Sequence, residues 1–234
     1  MRGQPLIIVL ALCCAAPDAG SDNLKVVGGR VTGRVALVKD GKPVPPTDVF
    51  VYVEETRPKR RKEPLGHGSK GQISQKGEDF LPHALVVPVG TEVAFPNLDF
   101  KEHNVFSSSD PPFDLGRYNH DAKGKTRVFM DPGEMEIYCD IHQQMAARVK
   151  VVESAWIARV GTDGSFAISG VPAGTYVVVA WAPDSAVTKS EPIVVTEGAT
   201  LVAEELHVQL GSWKKNHLRK DGTPYPCPPG YPKC

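Results

Sequence analysis

A cysteine, a histidine and a methionine follow one another at three-residue steps near the middle of the chain. They are Cys139, His142 and Met145, and a second histidine, His103, lies upstream in an apolar run. One thiolate, two imidazoles and a thioether form the soft nitrogen and sulfur ligand set that suits copper. Such a set holds copper in both oxidation states, and the metal keeps the thiol deprotonated. The spacing therefore predicts a site for one copper ion.

The same residues have a simpler interpretation, in which the metal site is degenerate. Cys139 would then be a small buried hydrophobic residue, and Met145 would fill a gap in the core. A Cys-x-x-His pair alone is a weak signal. Here the methionine stands at the next step, a strand precedes the pair, and His103 is followed by Asn104. This combination favours copper, and Cys139 is also the only cysteine in the long middle of the chain.

Two segments around these residues resemble the cupredoxins, the plastocyanin-like blue copper proteins. Phe95-Pro96-Asn97, followed by Glu102-His103-Asn104-Val105, is similar to the strand that carries the first histidine ligand of that family. Asp131-Pro132-Gly133 and the run that ends at Tyr138-Cys139 are similar to its Pro-Gly turn and the strand before the copper cysteine. The resemblance covers residues 72–152 and implies a Greek-key β-sandwich.

The resemblance also implies roles for single residues. His103, Cys139, His142 and Met145 would be the metal ligands, and Asn104 would join the two ligand regions by hydrogen bonds. His142 would be the electron port, because the matching histidine edge of cupredoxins reaches the surface amid apolar residues. The short His-x-x-Met spacing is similar to the dinuclear copper centre of cytochrome oxidase, whose second cysteine is missing here. A mononuclear blue copper site in an electron-transfer protein with a redox partner protein is therefore expected.

The composition of the whole chain excludes several classes of protein. Lys+Arg and Asp+Glu number 27 each, so the net charge gives no reason to expect nucleic acid as a partner. Gly (22) and Pro (21) are frequent, and short Val-rich runs between turn residues predict an all-β fold. No Ser-His-Asp set or carboxylate pair stands out, and no His-x-His pairs are present for a multicopper oxidase. We therefore expect no enzymatic activity.

The N-terminus predicts export. Residues 1–16 have a basic start, a short apolar run and small residues near a cleavage point, as a signal peptide does. The apolar run is too short to span a bilayer. Cys13 and Cys14 leave a lipid-modified cysteine open, but Leu12 fits that motif poorly, so a soluble periplasmic or secreted protein is favoured.

The basic tail, residues 211–234, is expected to be irregular and exposed. It ends with Cys227 and Cys234, which flank a proline-rich hexapeptide and are predicted to form a disulfide bond in an oxidising compartment.

The segments on either side of the copper region predict a second sandwich. Strands are expected at 31–38 and 48–54, and alternation in the latter places Val49, Val51 and Val53 on one face. Turns at Asp163-Gly164 and at Pro172-Ala173-Gly174 predict further strands.

These features resemble a carboxypeptidase-regulatory-like (transthyretin-like) β-sandwich, with Gly33 to Pro43 as its opening pattern. Residues 30–62 and 155–210 would form this domain, and the copper domain, residues 71–153, would be inserted between them. Exported methylamine-utilisation-type copper proteins have a similar layout.

Two segments are expected to be loops, and two functions besides electron transfer stay open. The basic run at 56–62 is more consistent with a solvated loop than with docking onto an acidic partner. The proline- and glycine-containing segment 107–125 is expected to be mostly loop.

Besides electron transfer, the candidate ligands fit copper storage, delivery or sensing. A structural or adhesive module with a degenerate site is the third function that stays open.

Overall fold

A computed structural model describes residues 28–58, 62–211 and 217–226. Its elements are all strands, which confirms the all-β prediction. The strands are β1 (Gly29–Lys39), β2 (Lys42–Val44), β3 (Phe50–Glu55), β4 (Lys70–Gln72), β5 (Ser74–Gln75), β6 (Phe80–Leu81), β7 (Ala84–Pro88), β8 (Thr91–Asn97), β9 (His103–Ser107), β10 (Phe113–Tyr118), β11 (Asp121–Phe129), β12 (Gly133–Tyr138), β13 (Ala146–Val152), β14 (Ile157–Arg159), β15 (Ser165–Val171), β16 (Gly174–Trp181), β17 (Thr188–Lys189), β18 (Ile193–Val195), β19 (Thr200–Val202) and β20 (Leu206–Leu210). Within these ranges we find no helix of the length and apolar character that a bilayer crossing requires.

Several predictions fall wholly or partly outside these ranges, and so do residues 212–216 and 227–234 of the expected tail. The expected signal peptide at 1–16 and the expected Cys227–Cys234 disulfide lie outside the described residues, as do residues 59–61 of the basic run.

Strands from the two ends of the described chain form one sandwich, here called the flanking sandwich (β1–β3 and β14–β20). In one of its sheets, β1 pairs with β15, β19, β20 and β2, and in the other β3 lies between β14 and β16. Side chains such as Val31, Val51 and Val178 fill the core between the two sheets. Gly164 forms the turn before β15 with a φ of +83°, and a Cβ there would lie 2.8 Å from the carbonyl oxygen of Val35.

Strands β4–β13 form a second unit, here called the central sandwich. One sheet has the order β10-β9-β12-β13-β7, and the other has the order β11-β8-β5-β6 with β4 beside β8. Its core includes Phe95, Ile137, Cys139 and Met145. The expectation that 107–125 is mostly loop is wrong, because β10 and the start of β11 lie there. The β9–β10 ladder shifts register between Asp114 and Arg117, so this strand lacks the regular alternation that a sequence pattern detects.

A third apolar cluster joins the two sandwiches. Val49, Val51 and Val53 do face the flanking core, but Phe50 and Tyr52 on the other face of β3 are buried as well. They pack with Trp181 and with residues of β7 and β13 from the central sandwich. Trp181 is fully buried, and its indole N–H donates to a Glu134 carboxylate oxygen at 3.0 Å. The strands of the two sandwiches are therefore held in direct contact.

Charged side chains line the same junction. The Arg148 guanidinium, on β13, contacts Glu136 at 2.5 Å and Glu134 at 3.4 Å in the central sandwich. It also reaches Asp184 of the flanking sandwich at 2.7 Å. Because Arg148 is largely buried, these bonds compensate the loss of hydration and fix the orientation of the two units.

Candidate metal centre

The predicted ligands meet at one end of the central sandwich. His103 is the first residue of β9, and Cys139 directly follows the last residue of β12. Tyr138 pairs with Phe106, so the antiparallel ladder brings these two strand ends together. The segment between β12 and β13, residues 139–145, is called the ligand loop below.

Hydrogen bonds within the ligand loop set its shape. The Cys139 N–H donates to the Met145 carbonyl oxygen at 3.3 Å, and the Met145 N–H donates to the His142 carbonyl oxygen at 3.1 Å. The first bond joins the two ends of the loop, and the second forms a tight turn after His142. The chain therefore returns into β13 within a few residues, and Cys139 and His142 stay on the same side of the loop.

Three of the four predicted ligands converge. The Nδ1 atoms of His103 and His142 are 3.1 Å apart, and the Cys139 sulfur is 3.8 Å from His142 Nδ1. One ligand atom from each of the three residues lies within 4.8 Å of the others, close enough for a single metal ion. His103 and Cys139 are fully buried, whereas the His142 side chain is 20% exposed. Met145, the fourth predicted ligand, is buried at the end of the loop and packs in the same core as Cys139.

A carboxylate that the sequence pattern does not predict, that of Asp99, orients His103. The Nε2–H of His103 donates to Asp99 Oδ2 at 2.8 Å, so Nδ1 is the ring nitrogen that faces His142 and the site. Asp99 also accepts N–H bonds from Gly77 at 2.8 Å and from Glu78 at 3.0 Å. Burial raises the pKa of Asp99, but these N–H donors and His103 outweigh it and lower that pKa to about 2. Asp99 therefore stays ionised at neutral pH.

The surroundings of Cys139 favour the thiolate. Burial raises the pKa of the thiol, whereas the adjacent His103 imidazole and the N–H groups of Asn104, Ile141 and His142 lower it. The net effect is a pKa below the ordinary cysteine value. The Ile141 N–H donates to the sulfur at 3.4 Å. Charge on the sulfur is thus stabilised by groups that are fixed in the backbone, as a metal-binding thiolate requires.

Asn104 connects the two ligand regions, as the sequence resemblance predicts. Its side-chain oxygen accepts the Asp140 N–H at 3.3 Å, and its amide nitrogen donates to Asp114 at 2.8 Å. The residue after the first histidine is therefore bonded to the residue after the cysteine. This bond fixes the distance between β9 and the ligand loop.

The exposed edge of His142 is more polar than the resemblance implies. Glu78 Oε1 lies 4.0 Å from His142 Nε2, and Glu78 also forms an ion pair with Lys101 and a 3.4 Å hydrogen bond with Gln144. Burial and the neighbouring charge of His103 lower the pKa of His142 below its ordinary value. His142 is thus neutral near pH 7, with its Nε2 edge directed toward polar groups.

Comparisons with known proteins give matches to parts of the chain. The family model of polysaccharide lyase family 4, domain II, matches residues 153–203. A search of curated proteins gives no match. The polysaccharide lyase family differs from the carboxypeptidase-regulatory-like family that the sequence suggests for the same segment. That resemblance is therefore not confirmed.

Solved structures that are similar include several cupredoxins. A purple cupredoxin from Nitrosopumilus maritimus is 26% identical, with a TM-score of 0.31, and the match covers 35% of this chain and 99% of that protein. Amicyanin from Paracoccus versutus is 16% identical, with a TM-score of 0.34 and coverage of 43% and 98%. A pseudoazurin from Sinorhizobium meliloti is 18% identical, with a TM-score of 0.30 and coverage of 37% and 76%.

Proposed function

We propose that this chain is an exported electron-transfer protein that binds one copper ion through His103, Cys139, His142 and Met145. The observation that carries the proposal is the convergence of one thiol and two imidazole nitrogens within 4.8 Å at a buried position. A set of two imidazoles and one thiolate, with a thioether in the same loop, fits copper better than calcium or magnesium, which prefer oxygen ligands. When bound, copper would supply a one-electron couple.

The chain's own residues would keep the ligands in one arrangement. Asp99 holds the His103 ring, Asn104 holds the start of the ligand loop, and the Ile141 N–H holds the Cys139 sulfur. Ligands with such partners move little when the charge of the site changes, which keeps the reorganisation energy small. The partly exposed His142 edge would be the point of contact for a redox partner protein, and no substrate or catalytic step is needed.

The remaining predictions on organisation form part of the proposal. We place a copper domain at residues 71–153, a second sandwich at 30–62 and 155–210, a tail at 211–234 and a cleaved signal at 1–16. The pairing of β1 with β15, β19 and β20, and of β3 with β14 and β16, supports this division.

Copper storage, delivery or sensing is the competing function, and a competition experiment separates it from electron transfer. The Cu(I)-loaded protein is mixed with a chromogenic Cu(I) chelator, and the same preparation is cycled with a small redox mediator. An electron carrier will exchange electrons rapidly and keep its copper through many cycles. Fast loss of Cu(I) to the chelator would favour copper handling, and absence of bound metal would favour a structural module.

Asp99→Asn will raise the reduction potential and weaken Cu(II) binding about tenfold. The substitution removes a negative charge that stabilises the more positive oxidation state through the His103 ring. A matched control exists, because Asp79 contacts His83 Nε2 at the same spacing and the same 2.8 Å distance, away from the ligand atoms. Voltammetry of Asp99→Asn and Asp79→Asn should show a shift only for the former. Equal potentials in both variants would contradict a role for Asp99.

Met145→Gln will lower the reduction potential while the protein stays coloured. An axial thioether is a weak ligand that tunes the potential more than it holds the metal, and an amide oxygen favours Cu(II). Met135→Gln is the control, because Met135 is a buried methionine of the same core. If Met145 only fills space, both variants will lose about 1–3 kcal/mol of stability from burying an unpaired amide, with unchanged potentials. An unmoved potential in Met145→Gln would remove Met145 from the ligand set.

A further inference from the structure

Residues 217–226, here called the C-terminal segment, lie against the ligand loop. The sequence predicts an irregular and exposed tail. This part of the tail is irregular, but His217 and Tyr225 are half-buried. The Tyr225 hydroxyl donates a hydrogen bond to the carbonyl oxygen of Cys139. His217 Nε2 lies 3.2 Å from the carbonyl oxygen of Met145. The segment therefore contacts the backbone of the first and the last residue of the loop.

The rings of the C-terminal segment cover the end of β12. The His217 imidazole stacks on the Tyr138 ring with centroids 3.9 Å apart and planes at 19°. The Tyr225 ring meets the His217 ring edge-on with centroids 5.4 Å apart, and the Phe106 ring centroid lies 6.1 Å from that of His217. Burial lowers the pKa of His217, so the ring is neutral at pH 7 and packs as an aromatic group. These contacts place a layer of aromatic rings over the end of β12, next to Cys139.

Charged groups attach the same segment to the ligand network. The Lys220 N–H donates to Asp140 Oδ1 at 3.1 Å, and the Asp140 side chain is only 2% exposed. The Lys220 ammonium contacts Asp114 at 2.8 Å, and Asp114 in turn accepts the Asn104 amide. The Lys220–Asp114 pair is exposed and contributes little. The Lys220 N–H adds a further partner to the buried carboxylate of Asp140, which already pairs with the Arg117 guanidinium at 2.7 Å.

We infer that the C-terminal segment positions the metal ligands, with Tyr225 and His217 as positioning residues that act through the backbone of the ligand loop. This inference rests on the proposed copper function. The backbone hydrogen bonds within the loop join Cys139 to Met145 and Met145 to His142. The C-terminal segment adds further partners from outside the loop, at the carbonyl groups of Cys139 and Met145. These added contacts keep the thiolate and the His142 ring in place and slow metal loss.

The first test uses the metal-free protein. Tyr225→Phe removes only the hydroxyl donor, and the Tyr225→Phe/His217→Ala double variant also removes the stacked ring. Thr223→Ala is the matched control, because the Thr223 hydroxyl bonds to Asp221 within the segment itself. Hydrogen exchange of the amides of residues 139–145 should be faster in both test variants and unchanged in Thr223→Ala. Exchange rates equal to those of the unmodified protein in every variant would overturn the inference.

The second test uses the copper-loaded protein and separates this inference from the proposed function. Cu(I) affinity, measured by chelator competition, should fall about tenfold in the double variant, since partners of metal ligands affect affinity on this scale. The reduction potential and the visible band should shift with it, which a merely structural role would not cause. Unchanged affinity, potential and band in all variants would overturn the positioning role. Failure of the unmodified protein to bind copper would overturn the proposed function, while the exchange rates would still decide whether the segment fastens the loop.

Discussion

Cys139→Ala will abolish the intense visible absorption band of the Cu(II)-loaded protein. The band arises from charge transfer between a thiolate and Cu(II), and Cys139 is the one free cysteine among the described residues. It lies within ligand distance of both histidines and carries a lowered pKa. Alanine keeps the small buried volume, so the fold should persist while the sulfur is lost. His103→Ala and His142→Ala should weaken or shift the band, because each leaves the thiolate in place.

The control for this prediction also comes from the chain. A Cys227→Ala/Cys234→Ala variant keeps Cys139 and removes the two cysteines of the tail. Its visible spectrum should match that of the unmodified protein, whereas Cys139→Ala should be colourless at the same copper content. A band that survives in Cys139→Ala, or that disappears in the tail variant, would contradict the assignment of the thiolate.

Trp181→Ala will lower the free energy of unfolding by about 3–5 kcal/mol. Trp181 has the largest fully buried side chain among the described residues, and it fills the cluster between the flanking and central sandwiches. Its removal would leave a cavity against Phe50 and Tyr52 and deprive Glu134 of a hydrogen-bond donor. The loss should appear in chemical denaturation followed by circular dichroism.

Trp181→Phe is the conservative control for the junction. It keeps most of the ring volume but not the N–H donor, so its loss of stability should be smaller. Neither variant should change the visible spectrum, because Trp181 bonds to β12 at Glu134, away from the ligand loop. A loss below about 1 kcal/mol in Trp181→Ala would contradict a packed junction, since burial of a large aromatic ring contributes more than that.

The sequence predicts the parts of the fold that depend on local patterns of residues. Alternation gives the face of Val49, Val51 and Val53, and the Cys-x-x-His-x-x-Met spacing gives the ligand loop. Alternation does not predict the burial of Phe50 and Tyr52. They occupy positions that alternation assigns to solvent, but the partner that buries them is Trp181, which is distant in sequence. Only tertiary contacts determine the second buried face of β3.

The candidate site, too, is predicted from the sequence only in part. The three converging ligands are visible from residue type and spacing, and Asn104 from its place beside His103. Asp99 stands four residues before His103, but an aspartate in a loop is common, and its role depends on a turn that directs it back at the ring. No residue pattern in the C-terminal segment predicts that it contacts the ligand loop. Tyr225 reaches Cys139 across 86 residues of sequence, a contact that only the folded chain creates.

A titration of the purified metal-free protein with Cu(II), followed by absorption spectroscopy, tests the central claim most directly. The arrangement of His103, Cys139 and His142 predicts an intense visible band that grows linearly and saturates at one equivalent of copper. The band should disappear on reduction and return on reoxidation. A protein that retains one equivalent of Cu(II) without colour would contradict the mononuclear copper–thiolate site.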